Sequence, residues 1–225
     1  MVKYFLAFIL FLFQIQYAKV ISEESDSVSN NYLLFDYIES LSADDYDLYR
    51  DSIKNGLSDD YFSLRMTYAK TKSYSPYSTE IRETHQKIES AINDGKYDLA
   101  LQLAETILND NFPDTDSHLY CAYAYTQLND STKADYHLRI YNGLLESIYM
   151  SGDGLKPETA YIVISTKEEY SFLNWFRLKF LEQQLVYKDK YAFDLMKSED
   201  VETGDEVELY FNITIALKQM EESFK

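Results

Sequence analysis

Two turns set 34 residues apart constrain this chain more than any other feature of it. Gly95-Lys96-Tyr97-Asp98-Leu99-Ala100 overlays Asn129-Asp130-Ser131-Thr132-Lys133-Ala134, and each turn is followed at the same distance by an alanine small enough to let paired helices approach. Glycine is the usual residue where backbone turns left-handed at a helix end, and asparagine is among the most tolerant substitutes. In this register Ile88 falls opposite Ala122 and Ala91 opposite Tyr125, while Leu103 and Ile107 form an inward stripe that Leu138 and Tyr141 repeat one unit later. A period of this length marks a helix pair that cannot bury its apolar face alone and must stack on a neighbour.

The period is that of tetratricopeptide repeats, although the Trp and Leu-Gly positions of a typical first helix are missing from both units. Two units are fewer than an isolated solenoid needs, so the flanking segments are expected to cap the stack. Upstream, Ala43 to Ile53 reads as one helix with acids in its first turn and Gly56 beyond its end. A second helix is expected from Ser58, with Asp59 and Asp60 in its first turn and Tyr61, Leu64 and Tyr68 along one face. Ser75-Pro76 holds the next connection extended.

After Met150 the text changes character. Ser151-Gly152-Asp153-Gly154 is a turn cluster, and Tyr161-Ile162-Val163-Ile164-Ser165 reads as a buried strand. Arg177 to Tyr187 and Tyr191 to Met196 form a hairpin about Lys188-Asp189-Lys190, Val207 to Ile213 adds a strand, and Lys218 to Phe224 a closing helix. The expected fold class is α+β: N-terminal and central antiparallel helix pairs over residues 32–150, then a small antiparallel β-sheet over 151–225.

The N-terminus reads as an address. Lys3 precedes ten uninterrupted apolar residues, Tyr4 to Phe13, the pattern of a secretory signal ending near Ala18, and the run is too short for a comfortable membrane span. Residues 19–31 are polar and acidic and read as a tether. The protein is therefore expected to be exported, periplasmic or secreted, with no stable membrane span after cleavage. Acidic residues outnumber basic ones 38 to 21, a net charge of −17 that repels nucleic-acid backbones.

Three strings together resemble a known family: Asp60 to Ala69, Tyr74-Ser75-Pro76-Tyr77, and Ser151-Gly152-Asp153-Gly154 running through Pro157 to Ser165. They are similar to the exported bacterial family catalogued as domain of unknown function 4919, and the likeness extends through Glu169-Tyr170 to Tyr210-Phe211-Asn212-Ile213. The resemblance implies a signal peptide, a tetratricopeptide-like helical part and a C-terminal sheet. It supplies no established activity and no catalytic residue, and it leaves the helix before Asp60 without support.

Among residues able to do chemistry, His118 and Cys121 share a helical face and His137 falls on the partner helix, a spacing open to a metal site or a thiol–imidazole pair. Cys121 also sits where the repeat packs an apolar side chain, which favours a core cysteine with ordinary surface histidines. The acids at Asp44, Asp45, Asp47, Asp59 and Asp60 lack the spacing of a calcium loop, and Ser151 to Gly154 lacks the Lys-Ser/Thr of a nucleotide loop. No catalytic, metal or cofactor residue is assigned and no cofactor is expected. Arg65, Tyr68, Tyr74 and Tyr77 gather aromatic and guanidinium groups of the kind that anchor partners, although they serve equally to pin the Pro76 turn onto the helices. The expected function is a non-catalytic module binding a protein or peptide; a hydrolase of unfamiliar type, with its site where helices meet sheet, is the alternative.

Overall fold

The computed structural model describes residues 31–223. The leader expected at 1–18, and all of the 19–31 tether but Asn31, lie outside the described residues. Helix α1 (Asn31–Ser40) leads through a short 3-10 turn (Ala43–Asp45) into α2 (Tyr46–Lys54) and α3 (Tyr61–Tyr68). Then come α4 (Thr79–Asn93), α5 (Tyr97–Asp110), α6 (Thr115–Gln127) and the long α7 (Ser131–Tyr149). The C-terminal part comprises β1 (Tyr161–Ile162), α8 (Thr166–Trp175), β2 (Leu178–Lys188), β3 (Tyr191–Asp200), β4 (Glu206–Asn212) and α9 (Thr214–Ser223).

The repeat read from the sequence is present down to its hydrogen bonds. Gly95 and Asn129 adopt φ of +71° and +60°. The N–H that follows each reaches back to the matching carbonyl, Lys96 to Ala91 at 2.8 Å and Asp130 to Tyr125 at 2.9 Å, which is the same C-terminal helix cap made twice. Ala100 and Ala134 are both buried. Short links make consecutive helices antiparallel, and α4, α5, α6 and α7 each pack against the next.

Local chemistry moves two boundaries. Asp60 does not enter α3 but caps it, accepting the Ser63 N–H at 2.9 Å, so the helix begins at Tyr61 rather than Ser58. Ser42 and Asp45 cap each other across the 3-10 turn, so Ala43 to Ile53 is a turn plus a helix rather than one helix.

The sheet corrects the expectation of four antiparallel strands. Its order is β1-β4-β3-β2, with β2, β3 and β4 antiparallel but β1 running parallel to β4. The strand expected from Tyr161 to Ser165 is only two residues long, because the Ser165 hydroxyl accepts the Glu168 N–H and starts α8. That helix makes the crossover a parallel pairing requires.

The core is divided by α7. Ile140 and Leu144 face α1 to α3 together with Tyr191 and Phe193 of β3, while Tyr141, Leu145 and Ile148 face α8 together with Ala192 and Met196. Alternate residues of β3 thus enter two cores, which is why this strand is apolar on both faces. The α4–α6 stack encloses a third cluster around Ile88, Ala104 and Cys121. Among the described residues no helix is long and apolar enough to cross a membrane.

Candidate functional site

A groove of about 810 Å3 opens where the start of α3 crosses α7. It is lined by Tyr61, Phe62, Leu138 and Met150 together with the carboxylates of Asp59, Asp60, Asp135 and Glu146 and one guanidinium, that of Arg139. Gly143 makes the crossing possible, since a Cβ there would lie 2.2 Å from the Tyr61 ring. Arg139 donates to the Tyr61 hydroxyl at 2.8 Å and to the Ile53 carbonyl at 2.9 Å, and its Nη1 also lies 3.8 Å from the Asp59 carboxylate, so it offsets one of the four acids. Acids outnumber the one base in this lining, and Met150 is its most solvent-exposed large apolar side chain, at 67%.

Behind the groove lies a buried polar centre, joined to it through Ser147. Arg65 is fully buried on α3. Its Nε and Nη2 donate to the two carboxylate oxygens of Glu168 at 2.8 and 2.6 Å, Nη2 also donates to the Ile162 carbonyl, and Nη1 to the Ser147 hydroxyl. Glu168 accepts the Ile164 N–H as well, so one bidentate pair ties α3, α7, β1 and α8 together. The Tyr74 hydroxyl donates to the Ile164 carbonyl at 2.5 Å, and burial holds that phenol far above its ordinary range. The strings that carried the family resemblance meet here, although they are widely separated along the chain.

Of the four residues singled out as partner-binding, Arg65, Tyr68 and Tyr74 are buried and only Tyr77, 41% exposed, reaches the surface. Arg65, Tyr68 and Tyr74 are thus built into the frame and do not offer a docking face. Tyr68 donates to the Ser73 carbonyl and packs edge-on against Tyr74, which is how the Pro76 turn is pinned.

The junction of helix and sheet holds a second buried acid, Glu169, neither of whose oxygens meets an N–H or O–H donor. Burial, then the neighbouring charge of Asp194 on β3, pushes its carboxyl well above the ordinary 4.5. Asp194 is raised by burial too, against hydrogen bonds from Gln183 and Glu169 that pull the other way. Both carboxyls are therefore held above their ordinary values at this junction.

His118 is buried and His137 half-buried, where surface histidines were expected. His118 is fully buried, its Nε2–H donating to the Phe112 carbonyl at 2.9 Å. Its Nδ1 must then accept, and the Nδ1–H of His137 donates to it across 3.0 Å. Burial, reinforced at His118 by the charge of its neighbour, drops the two rings to about 3 and about 4, so both are neutral. Cys121 lies in the α4–α6 core, and burial pushes its thiol up to about 12, leaving no thiolate. Among the described residues no three His, Cys, Asp or Glu side chains are grouped to hold a metal.

A third histidine, not singled out by the sequence reading, is buried on α4. His85 Nε2 lies 2.9 Å from Asp114, the residue that caps α6. Burial alone lowers its pKa, but the Asp114 hydrogen bond and the charges of Asp114 and Asp116 prevail and raise it. Asp116 in turn accepts from Ser171 and pairs with Lys167, joining α6 to α8. A small cleft of about 60 Å3 lies beside this network, lined in part by Asp114, Thr115 and Lys167.

Neither the curated proteins nor the solved structures hold a match to this chain. A family model matches residues 50–222, reaching further toward the N-terminus than the resemblance did and taking in the groove and the Arg65 centre. The chain belongs to the family described as Domain of unknown function (DUF4919).

Proposed function

We propose that this protein is an exported, non-catalytic interaction module that holds a peptide in the groove between α3 and α7. The observation carrying the reading is the composition of that groove, apolar and aromatic side chains beside four carboxylates, against which stands a single arginine that pairs with one of them, Asp59. Such a surface suits a segment presenting lysine or arginine beside one large apolar side chain. The apolar anchor gains burial on Tyr61, Leu138 and Met150, and the basic groups gain charge complementarity at the carboxylates. Helix-pair scaffolds commonly present concave faces of this sort, and the leader-like run from Lys3 to Ala18 supports export.

The test is fluorescence anisotropy with a peptide panel in which apolar anchors alternate with Lys, with Glu replacing Lys in a matched set. Binding of the basic set is expected, with affinity falling as salt rises. Reversing Asp135 and Asp59 to Lys should weaken it about tenfold or more, while the same reversal at Glu199 and Glu206 on the sheet should not. Equal weakening by both pairs of reversals would reduce the effect to net charge and sink the groove. N-terminal sequencing of the mature chain in cell fractions tests export, and an intact Met1 in the cytoplasmic fraction would defeat it.

A hydrolytic reading has one observation in its favour, the carboxyl pair Glu169 and Asp194 at the helix–sheet junction. Both are buried, at 0% and 3% exposure, and neither lines the groove or the small cleft. The pair is better accounted for as a buried carboxyl contact between α8 and β3.

A further inference from the structure

Strand β2 is the outermost strand of the sheet, eleven residues long, and β3 is its sole strand partner among the described residues. Leu178 and Val186 are half-buried and the other nine residues exposed. The exposed ones include Phe180, Leu181, Leu185 at 48% and Tyr187 at 65%. Natural edge strands are normally shortened, covered, or guarded by proline, inward charge or frequent lysine, because a long bare edge templates pairing with another chain. On β2 the lysines sit near the ends, at Lys179 and Lys188, and the one bulge falls at Leu181, leaving Glu182 to Lys188 as an unbroken ladder against β3.

We propose that β2 pairs antiparallel with β2 of a second copy of this chain, about a two-fold axis that brings Leu185 opposite its own copy. A two-fold axis normal to the sheet forces one residue to face itself, so the choice is only which residue lies at the centre. With Leu185 there, Gln184 faces Val186, Gln183 faces Tyr187, and Glu182 faces Lys188, the last pair occurring twice. The two apolar leucines meet at the axis, and opposite charges close both ends on the same face of the sheet. Centring on Gln183 drives the ladder across the bulge at Leu181, centring on Gln184 sets Glu182 against Val186, and centring on Val186 sets Lys188 against Gln184. Only the Leu185 register uses the regular stretch and matches the charges. Lys188 also pairs with Glu158 of its own chain, so that lysine would bridge the two acids.

The experiment is cysteine cross-linking with sedimentation equilibrium on the purified protein. Native Cys121 is 1% exposed and stays out of the reaction. Leu185→Cys places two thiols on facing residues about 5 Å apart at Cα, within disulfide reach, and should give a covalent dimer on mild oxidation. Gln183→Cys places its copies four residues out of step, about 14 Å, and should not. Glu182→Lys alone should weaken dimerisation about tenfold, as should Lys188→Glu, while the double swap should recover part of the loss, short of full restoration because Glu182 also faces Lys197 and Lys188 also pairs with Glu158 within the chain. A protein that stays monomeric at every concentration, cross-linking through Gln183→Cys rather than Leu185→Cys, or a double swap no better than either single would each overturn the proposal.

Discussion

At the scale of the residue, Arg65 is the side chain on which most depends. A guanidinium without surface exposure survives only because four of its donor hydrogens are engaged, two of them in a bidentate carboxylate pair. Removing one partner strands the other, so Arg65→Met should cost about 3–5 kcal/mol by leaving Glu168 buried and unpaired. Pairing it with Glu168→Leu should recover a large part of that loss, since two apolar groups of similar volume are often tolerated in place of a buried ion pair. Urea unfolding of the two single variants and the double one measures this, and losses that simply add would contradict the pairing. The sequence placed Arg65 among aromatic residues and so suggested a surface anchor. It had no means of pairing it with Glu168, 103 residues away.

At the scale of the element, α3 and α7 are held closer than side chains usually permit. Gly143 lies in the interior of a 19-residue helix, where glycine ordinarily costs about 1 kcal/mol relative to alanine. Gly143→Ala should nevertheless destabilise by about 1–3 kcal/mol, because its methyl group lands on the Tyr61 ring and the overpacking outweighs the gain in helix propensity. The same change should distort the groove, so thermal denaturation and peptide titration should both report it. A stabilised variant would show that the crossing relaxes freely. Helix α8 escaped the sequence reading, although Ser165-Thr166-Lys167-Glu168 carries a helix-start signature. The β-branched run just before it drew attention to a strand instead. Only the parallel pairing of β1 with β4 requires a crossover at that point.

For the whole molecule, buried titratable groups pull stability in opposite directions with pH. His118 and His137 are neutral in the folded chain, at about 3 and about 4, and near 6.5 when unfolded. Their stabilisation is therefore complete above pH 6.5 and lost as pH falls toward 4, because the unfolded chain binds protons the folded one refuses. His118→Gln, which keeps a donor and an acceptor, should trail the wild type at pH 7 and close the gap by pH 4. The gap moves by a few kcal/mol, about what such shifts imply. Glu169 has the opposite sign: raised above 4.5 in the folded chain, it stabilises most at low pH and progressively less as pH rises. His85, also raised, acts in the same sense above 6.5. Glu169→Gln, with a permanent donor to Asp194, should gain on the wild type as pH rises above 4.5. Denaturant midpoints across pH measure both differences, and parallel curves would refute the assignment of charge states.

What the amino-acid sequence determined alone is what local chemistry decides: the paired turns at Gly95 and Asn129, the acids that gather where helices start, the hairpin about Lys188 to Lys190, and the division into helices and sheet. Each rests on backbone preferences and apolar periodicity within a few residues. Tertiary structure decided the rest: the burial of Arg65 against Glu168, the neutral histidine pair, the crossover through α8, the groove, and the bare edge of β2. Those features arise when segments far apart in the chain exclude water together. The cost of burying charge and the gain from closing a core are properties of that assembled interior, and no local stretch of residues contains them.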